Sequence, residues 1–179
     1  MFLPEKTESQ IWGGVVIAVP EPWVSQLSEV RQALGDPEGA SVPPHITLVP
    51  PLAIEADDRE AVITHLQTVA QHFPPFRIRL GKVESFYPIS PVVYLALDEG
   101  AAACAALADE IRGGPLNYKP RFPYHPHVTL LQGSWDCDVP AVQEAVADLD
   151  AHWQVSGFRL DRVSESGTYS SAAIFDFAL

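Results

Sequence analysis

The chain has 179 residues, 47% of them apolar and 19% charged, with a formal net charge of −12 at pH 7. That length is enough to bury a substantial core in one domain, or in two small lobes sharing a core, and no apolar run approaches the ~20 residues that span a bilayer. The acidic balance excludes a general duplex binder, because a polyanion is repelled at long range and gains nothing from counterion release.

The opening "MFLPEKTESQ" has neither a basic n-region nor a long apolar h-region, so no secretory signal is evident and a cytoplasmic location is expected. Ile11 to Val19 follows as an apolar strand, in which Gly13 and Gly14 suggest a bulge or a close backbone approach. Glu21 to Leu34 carries Trp23, Leu27, Val30 and Leu34 at steps of three and four, with "GDPEG" as a stop, and reads as an amphipathic helix. His45 to Val49 is a short strand bounded by prolines on both sides. Ala56 to Phe73 is the second helix, with Val62, Leu66, Val69, Ala70 and Phe73 on one face and Asp57, Asp58 and Glu60 favourably placed in its first turn.

Phe76 to Tyr87 alternates as a half-buried strand and turns through "PISP" into a strand over Val92 to Leu97. A helix over Ala101 to Arg112 and a loop over Gly113 to Pro126 lead to a strand from His127 to Leu131. A helix over Pro140 to Trp153 and strands over Val155 to Val163 and Ala172 to Phe177 complete the chain. Cys104 reads as a small core residue on its helix and Cys137 as a loop thiol, since the pair fits neither a metal spacing nor a disulfide framework.

The two halves share one syntax, and each contains nearly the same words: Pro44-His45-Ile46-Thr47-Leu48 and Pro126-His127-Val128-Thr129-Leu130. A duplicated α+β unit is the economical explanation, with pseudo-repeats at about 11–87 and 91–178 interwoven in a single domain over 1–179. On a strand, residues i and i+2 share a face and stand ~6.6 Å apart, so His45 with Thr47, and His127 with Thr129, each offer an imidazole and a hydroxyl on one polar face. Two such faces meeting across a pseudo-twofold cleft suit in-line displacement at phosphorus, one imidazole as base and the other as acid, with the hydroxyls on the non-bridging oxygens. No metal and no cofactor is implied.

Paired HxT motifs, one in each half of a chain of this size, resemble the 2H phosphoesterase superfamily, specifically its bacterial 2′-5′ RNA ligase-like branch. The resemblance implies a bilobal fold of two antiparallel sheets about a central cleft with helices outside. It also implies a hydrolase that opens a 2′,3′-cyclic phosphate, or a related cyclic or 2′-5′ phosphodiester, with reversal as ATP-independent 2′-5′ ligation. By similarity His45 is the proton donor and His127 the acceptor, although pseudo-symmetry leaves the opposite order open, and Thr47 and Thr129 hold the phosphate. Members of that branch often carry an arginine just after the second motif; here Leu131 and Gln132 stand there. A cationic contact is then missing or supplied from elsewhere, and Lys119 and Arg121 are the nearest sources.

Other residues carry rival readings. His125 with His127 forms an HxH pair that a zinc hydrolase could use, without the third or fourth ligand that such a site needs. His65, His72 and His152 read as solvated. Phe86, Tyr87, Tyr118, Phe122 and Tyr124 either stack a nucleobase or pack against the core. Phe86, Tyr124, Lys119 and Arg121 are the expected substrate contacts. The expected partner is a small cyclic nucleotide or an RNA terminus, with no duplex nucleic acid, no membrane and a monomeric chain. A non-catalytic nucleotide or RNA-end binder is the alternative outside the enzyme class.

Overall fold

The computed structural model describes residues 3–178. In chain order the elements are β1 (Gln10–Ala18), α1 (Trp23–Ala33), β2 (His45–Glu55), a 3-10 turn (Ala56–Asp58), α2 (Arg59–His72), β3 (Phe76–Ser85) and β4 (Val92–Glu99). Then come α3 (Ala101–Arg112), β5 (His127–Gln132), α4 (Val139–Ala145), β6 (His152–Val155), β7 (Gly157–Val163) and β8 (Tyr169–Asp176). The strands form an antiparallel sheet in the order β6-β3-β4-β5-β2-β1-β7-β8, curled into a half-barrel. The two expected sheets are therefore the halves of one surface, joined where β2 meets β5.

That order shows how the duplication is folded. β1 pairs with β2 and β4 with β5, so each motif strand lies beside the strand that opens its own repeat. The closing strands cross over: β3 pairs with β4, and β7 pairs with β1. The registers correspond too, with His45 opposite Ala18 and Thr47 opposite Val16 in one half, and His127 opposite Ala96 and Thr129 opposite Tyr94 in the other.

Helices cover the convex face, α3 against β2 and α1 against β5. Leu27, Leu66, Cys104, Leu107 and Ile111 meet Ile46, Leu48, Val128 and Leu130 there, all essentially inaccessible to water. Val16 and Tyr94 are also buried but lie outside this cluster, as befits side chains that share the concave face with the motif threonines. Among the described residues no helix is long and apolar enough to cross a membrane.

The close approach expected at the double glycine is present. A Cβ on Gly14 would lie 3.3 Å from both Pro51 N and Val49 O, where the β1–β2 register shifts. This bulge lets β2 run through Pro50 and Pro51 to Glu55 rather than stopping at Val49. The prolines cost no ladder bond to β5, because β2 pairs with that strand only at Ile46.

The helix expected over Pro140 to Trp153 is two turns long. It ends at Ala145, and Trp153 sits instead in β6, opposite Ile78 of β3. The apolar spacing of Val142, Val146, Leu149 and Trp153 suits a helix, but the open edge of β3 takes His152–Val155 as its partner strand, a tertiary override of local pattern. Ser156 then separates β6 from β7, which lie at far-apart positions in the sheet, so the single strand expected over Val155 to Val163 is two. His65 is half-buried and donates from Nε2 to Ile111 O at 3.0 Å, tying α2 to the last turn of α3 rather than facing solvent.

Candidate active site

The site is built on the seam between β2 and β5. Ile46 is paired with Val128, and both side chains are wholly buried beneath the sheet. Their neighbours must point the opposite way, so His45, Thr47, His127 and Thr129 share the concave face, each half-buried. The antiparallel alternation sets His45 against Thr129 and Thr47 against His127. The histidines occupy one diagonal of this square and the threonines the other, with diagonal Cβ separations of roughly 7–8 Å.

Both imidazoles are held in the same way. His45 donates from Nδ1 to Pro43 O at 2.8 Å, and His127 donates from Nδ1 to His125 O at 2.7 Å. In each case the carbonyl belongs to residue i−2 and a proline stands at i−1, whose ring fixes the backbone between them. A carbonyl only accepts, so Nδ1 carries hydrogen in both rings and Nε2 is left as the titrating nitrogen.

Burial of the ring body pushes His45 down to about 4; the bond to Pro43 opposes this, and the charges of Arg31, Arg159 and His127 push further in the same direction. His127 is lowered as well, first by burial and then by the nearby His125, against its bond to the His125 carbonyl. His45, at about 4, is neutral near pH 6 and takes up a proton when an anion restores its charge. Sulfate, which does not itself titrate there, should bind with uptake of about one proton at pH ~6 and markedly less near pH 8. Calorimetry in two buffers of different ionisation enthalpy measures this, and uptake that persists in His45→Ala would show that His45 is not the group involved.

Aromatic rings flank the histidines. Phe86 lies edge-on to His127 at 5.1 Å between centroids, Tyr94 tilts over it at 4.9 Å, and Tyr169 meets His45 at 5.7 Å. From the Thr47 and His127 end of the square opens a cavity of about 650 Å³, lined also by Phe86, Phe122, Tyr124 and Arg121. Tyr124 donates to Thr47 O at 2.9 Å, occupying the carbonyl just past the seam's single pair. Lys119 does not line this cavity; it borders two other depressions, beside Leu116 and beside Asp109.

The family model of the 2′-5′ RNA ligase superfamily matches residues 19–166, most of the chain and both motif strands. The chain belongs to this superfamily. Relatives from Bacillus cereus (strain G9842) and Bacillus thuringiensis (strain Al Hakam), each bearing the name putative phosphoesterase, are 29% and 28% identical over 159 residues, covering 88% of this chain and 91% of theirs. Among solved structures, Escherichia coli LigT in apo form superposes with a TM-score of 0.71 at 19% identity, over 96% of this chain and 100% of LigT. TT0787 of Thermus thermophilus does so with 0.70 at 21%, over 93% and 98%. At such identities the likeness is one of fold.

This superfamily member carries site-face residues that sequence reasoning does not single out. Arg159 of β7 is opposite Val16, itself opposite Thr47, so the three lie in one row across the concave face. The corresponding row in the other half runs Thr129, Tyr94, Glu84. Glu84 accepts from Tyr94 Oη at 3.3 Å and lies 4.0 Å from His125 Nε2. Arg31 is buried under the approach to β2, paired with Asp36 at 2.7 Å and donating to Val42 O, which anchors the loop ahead of His45. The alternation of "GFRLDR" could have put Arg159 and Asp161 on one face, but only strand order shows that the face is that of Thr47. His125 and His127 stack at 6.4 Å, and among the described residues no group of three His, Cys, Asp or Glu is placed to hold a metal ion.

Proposed function

We propose that the protein opens nucleoside 2′,3′-cyclic phosphates, or a related cyclic or 2′-5′ phosphodiester, by general acid–base catalysis between His45 and His127. The observation that carries this is the diagonal pair of imidazoles on the seam, each with Nδ1 held by its own i−2 carbonyl so that Nε2 serves the substrate. His127 Nε2 takes a proton from water as its oxygen bonds to phosphorus. The bond to the ribose oxygen breaks on the opposite side, and His45 gives that oxygen its proton, leaving a phosphomonoester. The Thr47 and Thr129 hydroxyls donate to the non-bridging oxygens, where charge gathers in the transition state. His45 starts neutral in the free site, so the substrate's negative charge must raise it for this role.

Family membership and relatives named as phosphoesterases support the reaction class. LigT, which shares the fold, has been solved in complex with 3′-AMP, a ligand that combines the phosphate and the base such a site would hold. The aromatic cavity beside His127 suits a stacked base, with Arg121 and Tyr124 on its walls. The chain's net charge of −12 favours a small substrate or a chain end over a long polyanion.

The test is hydrolysis of the four nucleoside 2′,3′-cyclic phosphates with EDTA present. Retained turnover that disappears in His45→Ala and in His127→Ala supports the reading. Turnover that EDTA abolishes would point to a metal hydrolase instead, and tight binding of nucleoside monophosphates with no turnover of any cyclic or 2′-5′ substrate would leave a nucleotide-binding cleft.

A further inference from the structure

We infer that Arg159 holds a second phosphate of the substrate, carried by the nucleoside on the far side of the scissile phosphorus; this rests on the phosphoesterase reading above, which already includes a linear 2′-5′ diester. A cyclic phosphate has both ester oxygens on one ribose and needs room on one side of the histidines only. The concave face has room on both. Opposite the aromatic cavity, a depression of about 250 Å³ has mostly apolar walls, Ile174 and Trp153 among them, with Ala18, Gln154, Arg159 and Asp176 also lining it. Ala18 is the ladder partner of His45 and is itself exposed, so this depression adjoins the square at its His45 end.

Arg159 stands two strands from Thr47, about 10 Å across the ladder, a span that one nucleoside can bridge. Its side chain is 25% exposed, and Asp161, 1% exposed, accepts from Nε at 3.1 Å. Among the described residues Asp161 is the one hydrogen-bond partner of this guanidinium, so the two terminal nitrogens are left for the depression. A planar fork held in this way suits a phosphate better than an ammonium would. Asp176 lies exposed at the rim, where it can turn to solvent. The departure at Gln132 fits this arrangement, since the cation stands on β7 rather than after the second motif.

The experiment compares 2′-5′-linked ApA with the same dinucleotide carrying a terminal 3′-phosphate. The wild-type protein should prefer the phosphorylated form by about tenfold in kcat/KM, as one charge-assisted pair provides, and Arg159→Met should bring the ratio to about one. A ratio also lowers sensitivity to any change Arg159→Met makes at His45, because both substrates meet the same histidines. The double variant Arg159→Met with Asp161→Asn, which leaves no orphaned carboxylate, guards against a folding defect. A wild-type ratio near one, or a preference that survives in both variants, overturns the proposal, as does turnover of 2′,3′-cyclic AMP without turnover of either dinucleotide. If no substrate turns over, the reaction proposed above fails instead, and calorimetric binding of the two dinucleotides to wild type and variant gives the same ratio and decides this proposal.

Discussion

Replacing His127 with alanine is expected to lower kcat/KM for a nucleoside 2′,3′-cyclic phosphate by about 10²–10⁴-fold, the usual contribution of one general acid or base. His45→Ala should lose a similar amount on that substrate, because a ribose alkoxide is a poor leaving group without a proton. The two variants separate when the leaving group changes. With a p-nitrophenyl phosphodiester the departing phenolate needs no proton, so His45→Ala should recover most of its rate while His127→Ala stays slow. Recovery in His127→Ala instead would exchange the two roles, and full activity of both variants on the cyclic substrate would remove the mechanism. Both rings lie on the concave face and outside the core cluster, so neither truncation opens a cavity in the core, and thermal unfolding checks that each protein is folded. The pH dependence of kcat/KM should be bell-shaped, with one limb for each imidazole.

Thr47→Val and Thr129→Val are each expected to cost about 10²-fold or more in kcat, as losing one donor to a developing phosphate charge does elsewhere. Valine keeps the β-branched shape that a strand favours. It also spares the local scaffold, because Tyr124 bonds the backbone carbonyl of Thr47, not its hydroxyl. Steady-state kinetics on the cyclic substrate measure the effect. A rise in KM with kcat unchanged would mean that the hydroxyls hold the ground state only, and no change in either would take them out of the site.

The candidate site residues can be picked out from local pattern, and their surroundings cannot. The repeat of His-aliphatic-Thr is a period-two signal, so His45 and Thr47 share a face whatever the rest of the chain does. The seam then converts two sequence-distant faces into one. Arg159 illustrates the opposite case. Its strand alternates cleanly, but its importance depends on β7 lying beside β1, a pairing between segments more than 140 residues apart that no local rule specifies. Trp153 escapes local pattern for a related reason: apolar residues at steps of three and four satisfy a helix, yet the unpartnered edge at Phe76 to Arg79 offers a ladder, and the ladder wins. The prolines at 50 and 51 read as a strand stop, which holds for a central strand; here β2 has no partner on its β5 side beyond the motif, so they are tolerated. Lys119 and Arg121 are two residues apart, but the loop that carries them sends only Arg121 to the large cavity.

Long ladders lace β1 to β2 and β4 to β5, while β2 and β5 are stitched at one residue pair, Ile46 with Val128. Backbone pairing is thus sparsest along the line where the histidines stand. An oxyanion touched by Thr47 from one strand and Thr129 from the other would act as a rivet across that line. Tightening the halves and aligning the acid with the base would then be a single mechanical event.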